Sequence, residues 1–405
     1  MGTDRVVVTG MGLLTPVGNT LEDFADAIFE GRNSIGPITS FDVSQHNIKQ
    51  GGEVKNFHPK NYFNLLDYRQ FDRSTQFAVA TSKMALQMSG VEDGVYDSRR
   101  LGCIFGTTMG NQQIPEKYTN LLVGKNKESI QYPFQNFQPN AITSAVAAEL
   151  KLKGPNLVIP TACAAGNYAI GYGADLIKSG KADCIICGGS DAMSRVCYTM
   201  FSRLGAMSPD LCRPFDENRQ GMIVSEGAAA LVLESYESAK KRSATIYAEI
   251  LGYGNSCDAY HATAPHPEGQ GARLAIHKAF NSSGTKKSDI GYISAHGTGT
   301  KANDAAESYA LTQTFGDAIK SIPVSSIKSM FGHAMGAAAA IEAVASVLVL
   351  NEGRLPVNMN LEHLDPKIGL NVVSKPTAAK DIDCILSNSF AFGGNISCII
   401  LSQEK

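Results

Sequence analysis

The sequence predicts a layered α/β protein, and three observations lead to this fold class. Short runs rich in β-branched and apolar residues alternate with stretches of helical periodicity along the chain. Glycine is frequent, with 39 of 405 residues, and only 18% of the residues are charged, which suits a compact α/β enzyme. With 43% hydrophobic residues, a chain of this length can bury one large core or two fused ones.

The first clear unit of this pattern spans residues 156–187. The run 156–160 is apolar and predicts a buried strand. A stretch of helical period follows it and ends at Gly180, and the run 184–187 predicts a second apolar strand. The three segments together predict a β-α-β unit.

Two later strands each lead to a histidine. The run 292–295 predicts a strand that continues into the polar turn His296-Gly-Thr-Gly-Thr300. The run 322–325 predicts another, which leads through Gly332 and His333 into an apolar helix. Histidines beside glycines at strand ends are typical of loop residues displayed at the edge of a sheet.

The C-terminal end of the chain predicts a β-hairpin. The strand-like runs 384–390 and 396–401 flank the turn Ala391-Phe-Gly-Gly394, and a Gly-Gly pair is typical of tight hairpin turns. No proline- or serine-rich linker separates the parts of the chain, and the nearest feature to a seam is the segment 247–254. Both parts contain a strand, a polar turn and a small-residue helix, so a globule with pseudo-duplicated halves is expected.

Charge and hydropathy argue against several classes of function. The formal net charge is −2 and no basic run occurs, so nucleic-acid binding is not expected. The N-terminus lacks the parts of a signal peptide, and the apolar segment 334–350 carries Glu342, so a buried helix is expected rather than a membrane span. Nine cysteines without a framework spacing predict reduced thiols in a cytoplasmic protein.

Cys163 is the candidate nucleophile. The segment Thr161-Ala-Cys-Ala-Ala-Gly166 places it where a strand ends and a helix begins. Free backbone N–H groups at a helix start stabilise a thiolate and can hold an oxyanion, so a lowered thiol pKa is expected. On position alone, a structural cysteine in a tight turn is the alternative. The pair Cys184 and Cys187 lies in an apolar run without further ligands and predicts buried thiols rather than a metal site.

His296 and His333 are the other candidate catalytic residues. A single histidine is usually only a hydrogen-bonding group, and this alternative stands for each taken alone. The helix start near His333 disfavours an imidazolium, so a neutral ring that donates N–H to a developing oxyanion is expected. Neither histidine forms a local metal-ligand pattern with Cys163, and no metal is predicted.

Two glycine-containing segments do not predict nucleotide sites. The segment 8–12 follows a strand, but the third glycine of a dinucleotide fingerprint is missing before Pro16. The segment 297–300 lacks the lysine of a phosphate-binding loop.

Four motifs occur in a fixed order along the chain. They are Thr161-Ala-Cys-Ala-Ala-Gly166, Ala295-His-Gly-Thr-Gly-Thr300 with Asp304 and Glu307, Ser326-Ile-Lys-Ser-Met-Phe-Gly-His333, and Asn388-Ser-Phe-Ala-Phe-Gly-Gly394. Together they resemble the elongating β-ketoacyl-acyl carrier protein synthases, the ketosynthases of fatty-acid and type II polyketide biosynthesis. The resemblance implies a thiolase-like α/β fold of two pseudo-duplicated halves in α-β-α-β-α layers. Residues 1–250 would carry the nucleophilic cysteine and residues 251–405 the two histidines.

The resemblance also implies a reaction. Cys163 would take an acyl chain from the phosphopantetheine arm of acyl carrier protein, and malonyl carrier protein would then lose its carboxyl group and attack the thioester. No cofactor of the enzyme itself is implied. The implied partners are acyl carrier protein and a second subunit, either an identical one or a chain-length-factor-like one.

Supporting roles are implied by the same resemblance. Lys328 would hold a local charge network, and Glu307 and Asp304 would support it. The gate would be Phe392, whose N–H would form an oxyanion hole with that of Cys163.

Substrate contacts are implied as well. Thr298 and Thr300 would bond the pantetheine arm, and Met109 would line the acyl pocket. Because carrier proteins are acidic, a basic rim would steer their docking. The candidates for this rim are Arg69, Arg73, Lys125, Lys127 and Arg203.

The chain departs from the family pattern before the gate phenylalanine, and two rival functions make different demands on its cysteines. Ala391 replaces the usual glycine before the gate phenylalanine, and its Cβ is expected to stiffen that turn.

A thiolase would need a second catalytic cysteine near the C-terminus, where Cys384 and Cys398 lie in strand-like runs. A non-catalytic chain-length partner would lack the nucleophile, and Cys163 is present.

Overall fold

The computed structural model describes residues 5–92, 94–123, 134–379 and 382–404. The strands are β1 Val6–Leu14, β2 Gly36–Pro37, β3 Gln50–Gly51, β4 Leu101–Gly106, β5 Asn156–Ile159, β6 Cys184–Asp191, β7 Gly227–Ser235, β8 Ala248–Cys257, β9 Ile290–Ser294, β10 Pro323–Ser325, β11 Arg354–Leu355, β12 Asn371–Val372, β13 Thr377–Ala378, β14 Cys384–Phe390 and β15 Asn395–Ser402. The helices are α1 Leu21–Glu30, α2 Arg73–Ser89, α3 Gln113–Val123, α4 Ala141–Leu150, α5 Ala165–Lys178, α6 Arg195–Arg203, α7 Tyr236–Lys241, α8 Gln270–Ser283, α9 Lys301–Phe315, α10 Lys328–Phe331 and α11 Ala338–Glu352.

One large mixed sheet organises the described chain. Its strands run in the order β12-β10-β9-β14-β15-β8-β1-β7-β6-β4-β5. At its centre β1 pairs antiparallel with β8, with Val7 opposite Glu249 and Val8 opposite Ala248. This pair joins a block of strands from the first part of the chain to a block from the second.

The two blocks have the same internal arrangement. In the first, β5, β4 and β6 are parallel neighbours, and β7 and β1 follow antiparallel. In the second, β10, β9 and β14 are parallel neighbours, and β15 and β8 follow antiparallel. The predicted α/β fold with pseudo-duplicated halves is therefore confirmed.

Helices pack around this sheet in layers. Helices α2 and α4 pack on the first block, and α8 and α9 pack on the second. Helices α5 and α11 pack against each other and against strands of both blocks. They form the central layer of the predicted thiolase-like α-β-α-β-α arrangement.

The two central helices approach each other closely because their contact surfaces carry small residues. A Cβ added at Gly166 of α5 would lie only 2.5 Å from the Ala340 backbone nitrogen of α11. The segment Met335–Glu352 is long and apolar enough to cross a membrane, but 89% of it is buried inside the protein. It is a core helix, as its alanines and Glu342 predicted.

Each central helix begins with a strained turn. Ala162 and Met335 both have a φ of 50°, a left-handed conformation that costs a non-glycine residue about 1–3 kcal/mol. Each starts a single 3₁₀ turn, Ala162–Ala164 before α5 and Met335–Ala337 before α11. The two halves therefore repeat the same turn at equivalent places, and such strain is typical of functional sites.

The predicted β-α-β unit is present, but its first strand is not buried. Strand β4 lies between β5 and β6, and all three are parallel. Strand β5 forms the edge of the sheet, and the Leu157 side chain is 40% exposed. The apolar run therefore predicted the strand correctly. Its prediction that the strand is buried is wrong for the single chain.

The predicted C-terminal hairpin is confirmed by the antiparallel pairing of β14 and β15, with Phe390 opposite Ile396. Its turn corrects one expectation. Ala391 has a φ of −140°, an extended conformation that any residue adopts, so its Cβ introduces no strain. The left-handed positions are Gly393 and Gly394, with φ values of 79° and 75°.

Candidate active site

The turn that begins α5 holds Cys163. The residue is the centre of the 3₁₀ turn Ala162–Ala164, between the end of β5 and the first residue of α5. Its side chain is 7% exposed and lines a cavity of about 380 Å³. The predicted position of the cysteine at a helix start is confirmed.

The thiol of Cys163 is not activated at rest. Burial raises its pKa to about 12, and the opposing attraction of Lys328 is smaller. The helix start alone predicted a lowered pKa for this thiol. Burial removes solvent from the sulfur, disfavours the thiolate and raises the pKa instead. A proton acceptor in the same cavity is therefore needed when the thiol attacks.

The two histidines come from the second half and face each other. The His296 and His333 ring centroids are 5.3 Å apart, and the ring planes are nearly perpendicular at 84°. Both rings are buried and line the same cavity as Cys163. The His333 backbone is fixed on both sides, since its N–H donates to Ile223 O at 2.7 Å and its carbonyl accepts from Ser225 N–H at 3.0 Å.

Lys328 lies directly behind His296. The side chain is 1% exposed, and its Nζ donates to His296 O at 2.7 Å. Nζ also contacts His296 Nδ1 at 3.4 Å and forms a buried ion pair with Glu342 of α11. One ammonium therefore touches a histidine backbone, a histidine ring and the central helix.

These contacts assign the proton of the His296 ring. Lys328 Nζ is a donor, so the Nδ1 that faces it acts as the acceptor. A neutral ring with an acceptor at Nδ1 carries its proton on Nε2. The Nε2–H group of His296 is then available as a donor to a substrate oxyanion.

Both histidines are held neutral. Burial lowers the pKa of His296 well below 6.5, and the charge of Lys328 and the proximity of the His333 ring lower it further. Burial also lowers the pKa of His333, with Lys328 as the second cause. The sequence predicted a neutral ring for His333 from the nearby helix start, whereas burial is the larger cause of its lowered pKa.

Glu307 of α9 holds the backbone at His296. Its carboxylate accepts from His296 N–H at 2.9 Å and from Gly297 N–H at 2.8 Å, and Asn388 Nδ2 donates to it at 3.3 Å. Burial raises the pKa of Glu307 to about 7, although these backbone hydrogen bonds act in the opposite direction. It contacts the histidine segment and does not line the cavity.

Asp304 holds the rest of the same turn. Its carboxylate accepts from Phe215 N–H at 2.8 Å and from Gly299 N–H at 3.2 Å, and Arg219 lies 3.7 Å away. The hydroxyls of Thr298 and Thr300 are 2.9 Å apart and both line the cavity. The turn therefore presents two hydroxyls to a ligand.

Most of the predicted residues meet in this one cavity. Its walls include Cys163, His296, Thr298, Thr300, His333 and Phe392, together with Phe201, Met222, Phe390 and Lys301. Lys328, Glu307 and Asp304 do not line the cavity, and they form hydrogen bonds to the segment of His296 and Gly299 that does. Met109 does not line the cavity and packs in an adjoining apolar cluster that contains Phe201, Met335 and Phe392.

Phe392 lies in a turn attached to a neighbouring loop. Its ring contacts Phe201 with a centroid distance of 5.5 Å. Gly393 N–H donates to Ala262 O at 2.8 Å, and Asp258 N–H donates to Gly394 O at 2.9 Å. The glycines allow the turn its left-handed backbone, and the two hydrogen bonds fix its outer side.

Two buried carboxylates beside the cavity, Glu342 and Asp191, were not predicted as supporting residues from the sequence. Glu342 served only as evidence against a membrane span, although an acidic residue in an apolar helix is itself a signal of a buried partner. Asp191 gave no signal, and it accepts hydrogen bonds from Thr108 N–H and Gly336 N–H, both at 2.7 Å. It ties the loop that carries Met109 to the turn after His333.

Within the described ranges, no group of three His, Cys, Asp or Glu side chains lies close enough to hold a metal ion.

Comparisons with known protein families match the two halves of the chain separately. Two family models match, the N-terminal domain of beta-ketoacyl synthase over residues 3–239 and its C-terminal domain over residues 247–362. The chain is 41% identical to a 3-oxoacyl-[acyl-carrier-protein] synthase 2 from Synechocystis sp., over 96% of both chains. It is 38% identical to the protein of the same name from Coxiella burnetii, over 98% of both.

Solved structures agree over the full length. The ishigamide ketosynthase/chain length factor matches with a TM-score of 0.94 and 38% identity, covering 100% of both chains. A type II polyketide acyl-carrier protein in complex with its ketosynthase matches with a TM-score of 0.90 and 30% identity, covering 99% of this chain and 100% of that one.

The neutral state of the histidines can be tested through Lys328. Replacing Lys328 with Met and Glu342 with Gln together removes both members of the ion pair without leaving one buried charge. Because the ammonium lowers the pKa of both rings, its loss should raise these pKa values, and malonyl-thioester decarboxylation should fall more steeply between pH 8 and pH 6. Lys287→Met, at an exposed lysine, is the control. A decarboxylation profile identical to wild type in the folded double variant would contradict this role.

Proposed function

Because the chain belongs to the β-ketoacyl synthase family, we propose that it condenses an acyl group held on Cys163 with a malonyl group carried by acyl carrier protein. The observation that carries this proposal is the shared cavity. A nucleophilic thiol from one half and two neutral imidazoles from the other line the same 380 Å³ space. This is what a decarboxylative condensation needs, since one group must hold the acyl chain while N–H donors stabilise an enolate.

Acyl transfer to Cys163 comes first. The Cys163 sulfur forms a bond to the acyl carbon, and the bond between that carbon and the sulfur of the carrier arm breaks. The Cys163 proton is transferred to the departing arm sulfur, so that the arm leaves as a thiol. The tetrahedral oxyanion of this step is held by the backbone N–H groups of Cys163 and Phe392.

Condensation follows in the same cavity. The malonyl thioester loses CO₂, and the electron pair of the broken carbon–carbon bond becomes an enolate. Its oxygen accepts hydrogen bonds from N–H groups of His296 and His333, and both imidazoles donate in their neutral form. The enolate carbon attacks the acyl carbon, the bond to Cys163 breaks, and the Cys163 thiolate takes up one proton.

The supporting residues keep this arrangement in place. Lys328 orients His296 through its carbonyl and Nδ1, and Glu307 holds the His296 and Gly297 N–H groups. Asp304 fixes the following turn, on which Thr298 and Thr300 offer hydroxyls to the pantetheine arm. Two backbone N–H groups that donate to Glu307 and one cation thus determine where the His296 imidazole points.

Phe392 and Met109 control the acyl chain. Phe392 is the gate between the thioester and the acyl pocket, and its contact with Phe201 supports this role. Met109 belongs to the apolar cluster behind that gate. We therefore assign it to the acyl pocket that opens when Phe392 moves, and not to the cavity in its present form.

Acyl carrier protein is the proposed partner, and the structure narrows the docking candidates. Arg73 is paired with the buried Glu226 at 2.8 Å, which makes it a structural residue. Arg69 pairs with its neighbour Asp67, also at 2.8 Å. Lys125 and Lys127 lie outside the described residues.

Arg203 remains the best candidate for this rim. It ends helix α6, and Phe201, Gly205 and Ala206 beside it line the cavity. The outer face of the same helix exposes Val196 and Met200. A cation beside an apolar stripe suits an acidic partner with an apolar contact surface.

A second subunit is proposed at the β5 edge. This strand ends the sheet and exposes Leu157, and an uncovered apolar edge is a site for pairing with another strand. The matching structures include ketosynthases described with a chain length factor. The partner is therefore either a second copy or a chain-length-factor-like subunit.

The rival functions fit less well. A chain-length partner needs no nucleophile, whereas Cys163 lies in the cavity beside both histidines. A thiolase needs a second cysteine there, whereas Cys384 and Cys398 are buried within β14 and β15.

The remaining assignments complete the proposal. The two halves divide in the connection between α7 and β8, because a boundary at residue 250 would cut β8, which begins at Ala248.

The substrates are carried on phosphopantetheine, and the enzyme itself takes no cofactor. A cytoplasmic location is supported by the burial of the apolar helix and the free cysteines.

The nucleophile is tested by acyl loading. Cys163→Ala should abolish transfer of an acyl group from acyl carrier protein and abolish condensation, as measured by intact-protein mass and product formation. Cys257→Ser is the matched control, because Cys257 is an exposed free cysteine and a competing site of non-specific labelling. Acyl transfer or condensation that survives in Cys163→Ala after Cys257 is also replaced would contradict the assignment.

The histidines are tested by separating the two steps. His296→Ala or His333→Ala should slow malonyl decarboxylation about 10²–10³-fold, the usual cost of removing one oxyanion donor. Acyl loading of Cys163 should remain measurable in both variants. Equal losses in loading and decarboxylation would identify a purely structural residue.

Met109 is tested by a ladder of acyl chain lengths. Met109→Trp should shorten the longest chain that loads on Cys163, because each buried methylene contributes about 0.8 kcal/mol only where space exists. Met109→Ala should leave short chains nearly unaffected. Identical length profiles for wild type and Met109→Trp would place Met109 in the ordinary core.

A further inference from the structure

We propose that Lys301 binds the phosphate of the phosphopantetheine arm at the mouth of the active-site cavity. The inference rests on the proposed function, since that function supplies the arm, and it adds a binding residue that the family motifs did not assign.

The wall of the cavity carries a single lysine or arginine and no carboxylate among the described residues. Lys301 is that cation, and its side chain is exposed, which places it at the solvent end of the space. Cys163 lines the same space and is buried. A ligand that reaches from solvent to Cys163 therefore passes Lys301 with its outer part.

The backbone at Lys301 is fixed while its side chain is left available. Arg219 donates to Lys301 O at 3.3 Å and to Thr300 O at 3.4 Å, and Arg219 is itself buried against Asp365 at 2.7 Å. No ion pair joins the Lys301 ammonium to a carboxylate in the part of the chain that the structure describes. The cation is thus presented on a rigid base without an acidic competitor.

The chemistry of the arm matches this position. Its thioester must reach the buried Cys163, so its phosphate, at the opposite end of the arm, lies toward solvent. A phosphate keeps its negative charge at neutral pH, and lysine binds it as a compact point charge. The malonyl carboxylate is at the opposite end of the arm, near the histidines, and is not the group that Lys301 meets.

The experiment compares two substrates that differ only in the phosphate. Octanoyl-pantetheine and octanoyl-4′-phosphopantetheine are offered to wild type and to Lys301→Met, and kcat/KM for acyl loading of Cys163 is measured by intact mass. Wild type should prefer the phosphorylated substrate about tenfold, the usual effect of one hydrogen bond to a charged group. Lys301→Met should lose this preference and keep the wild-type rate with octanoyl-pantetheine.

Controls separate the alternatives. Lys287→Met, at a lysine outside the cavity wall, should keep the preference. Malonyl-pantetheine decarboxylation should not change in Lys301→Met, and a loss there would show that Lys301 binds the carboxylate, which would overturn the proposal. A preference that survives in Lys301→Met, or none in wild type, would overturn it as well. If neither octanoyl substrate loads wild-type Cys163, the proposed function fails instead.

Discussion

The buried ion pair between Lys328 and Glu342 is the interaction on which the rest of the site depends. Lys328 lies at the start of α10, five residues before His333, and Glu342 lies within the central helix α11. The same ammonium donates to the carbonyl of His296, so a single side chain links both histidine segments to the core. Burying two charges is costly unless each is fully partnered, and removing one partner typically costs about 3–5 kcal/mol. The positive charge of Lys328 lowers the pKa of both neighbouring imidazoles. Burial alone acts in the same direction, and Lys328 adds to it at both rings.

The contact between the two halves explains why the site is assembled only in the folded molecule. Cys163 begins one central helix, and the strained turn after His333 begins the other. Small residues let α5 and α11 touch, so these two helix starts lie side by side. The left-handed backbone of Ala162 and Met335 is strained and persists only because the surrounding packing imposes it. Asp191 links the second turn to the loop at Met109, so the turn after His333 and this loop share one buried carboxylate.

The sequence predicted those features that depend on local pattern. Alternating strands and helices, the C-terminal hairpin and the placement of Cys163 at a helix start all follow from residues close together in the chain. Properties that depend on distant neighbours were predicted less well. The thiol pKa of Cys163 is raised because the second half covers it, and no local motif contains that information. Arg73 was taken for a surface cation because its partner Glu226 is 153 residues away in the sequence. The sequence predicted β5 as a buried strand because its side chains are apolar. In the proposed assembly, a second subunit rather than the rest of this chain would cover them.

The central claim is that Lys328 and burial keep His296 neutral with its proton on Nε2. The most direct measurement is nitrogen NMR of the wild-type protein labelled with ¹⁵N-histidine, with His296→Gln used to assign the signal. The account predicts a neutral ring at pH 7, with a protonated Nε2 and an unprotonated Nδ1, and a ring that remains neutral at pH 6. An imidazolium at pH 7, or a neutral ring with its proton on Nδ1, would contradict it.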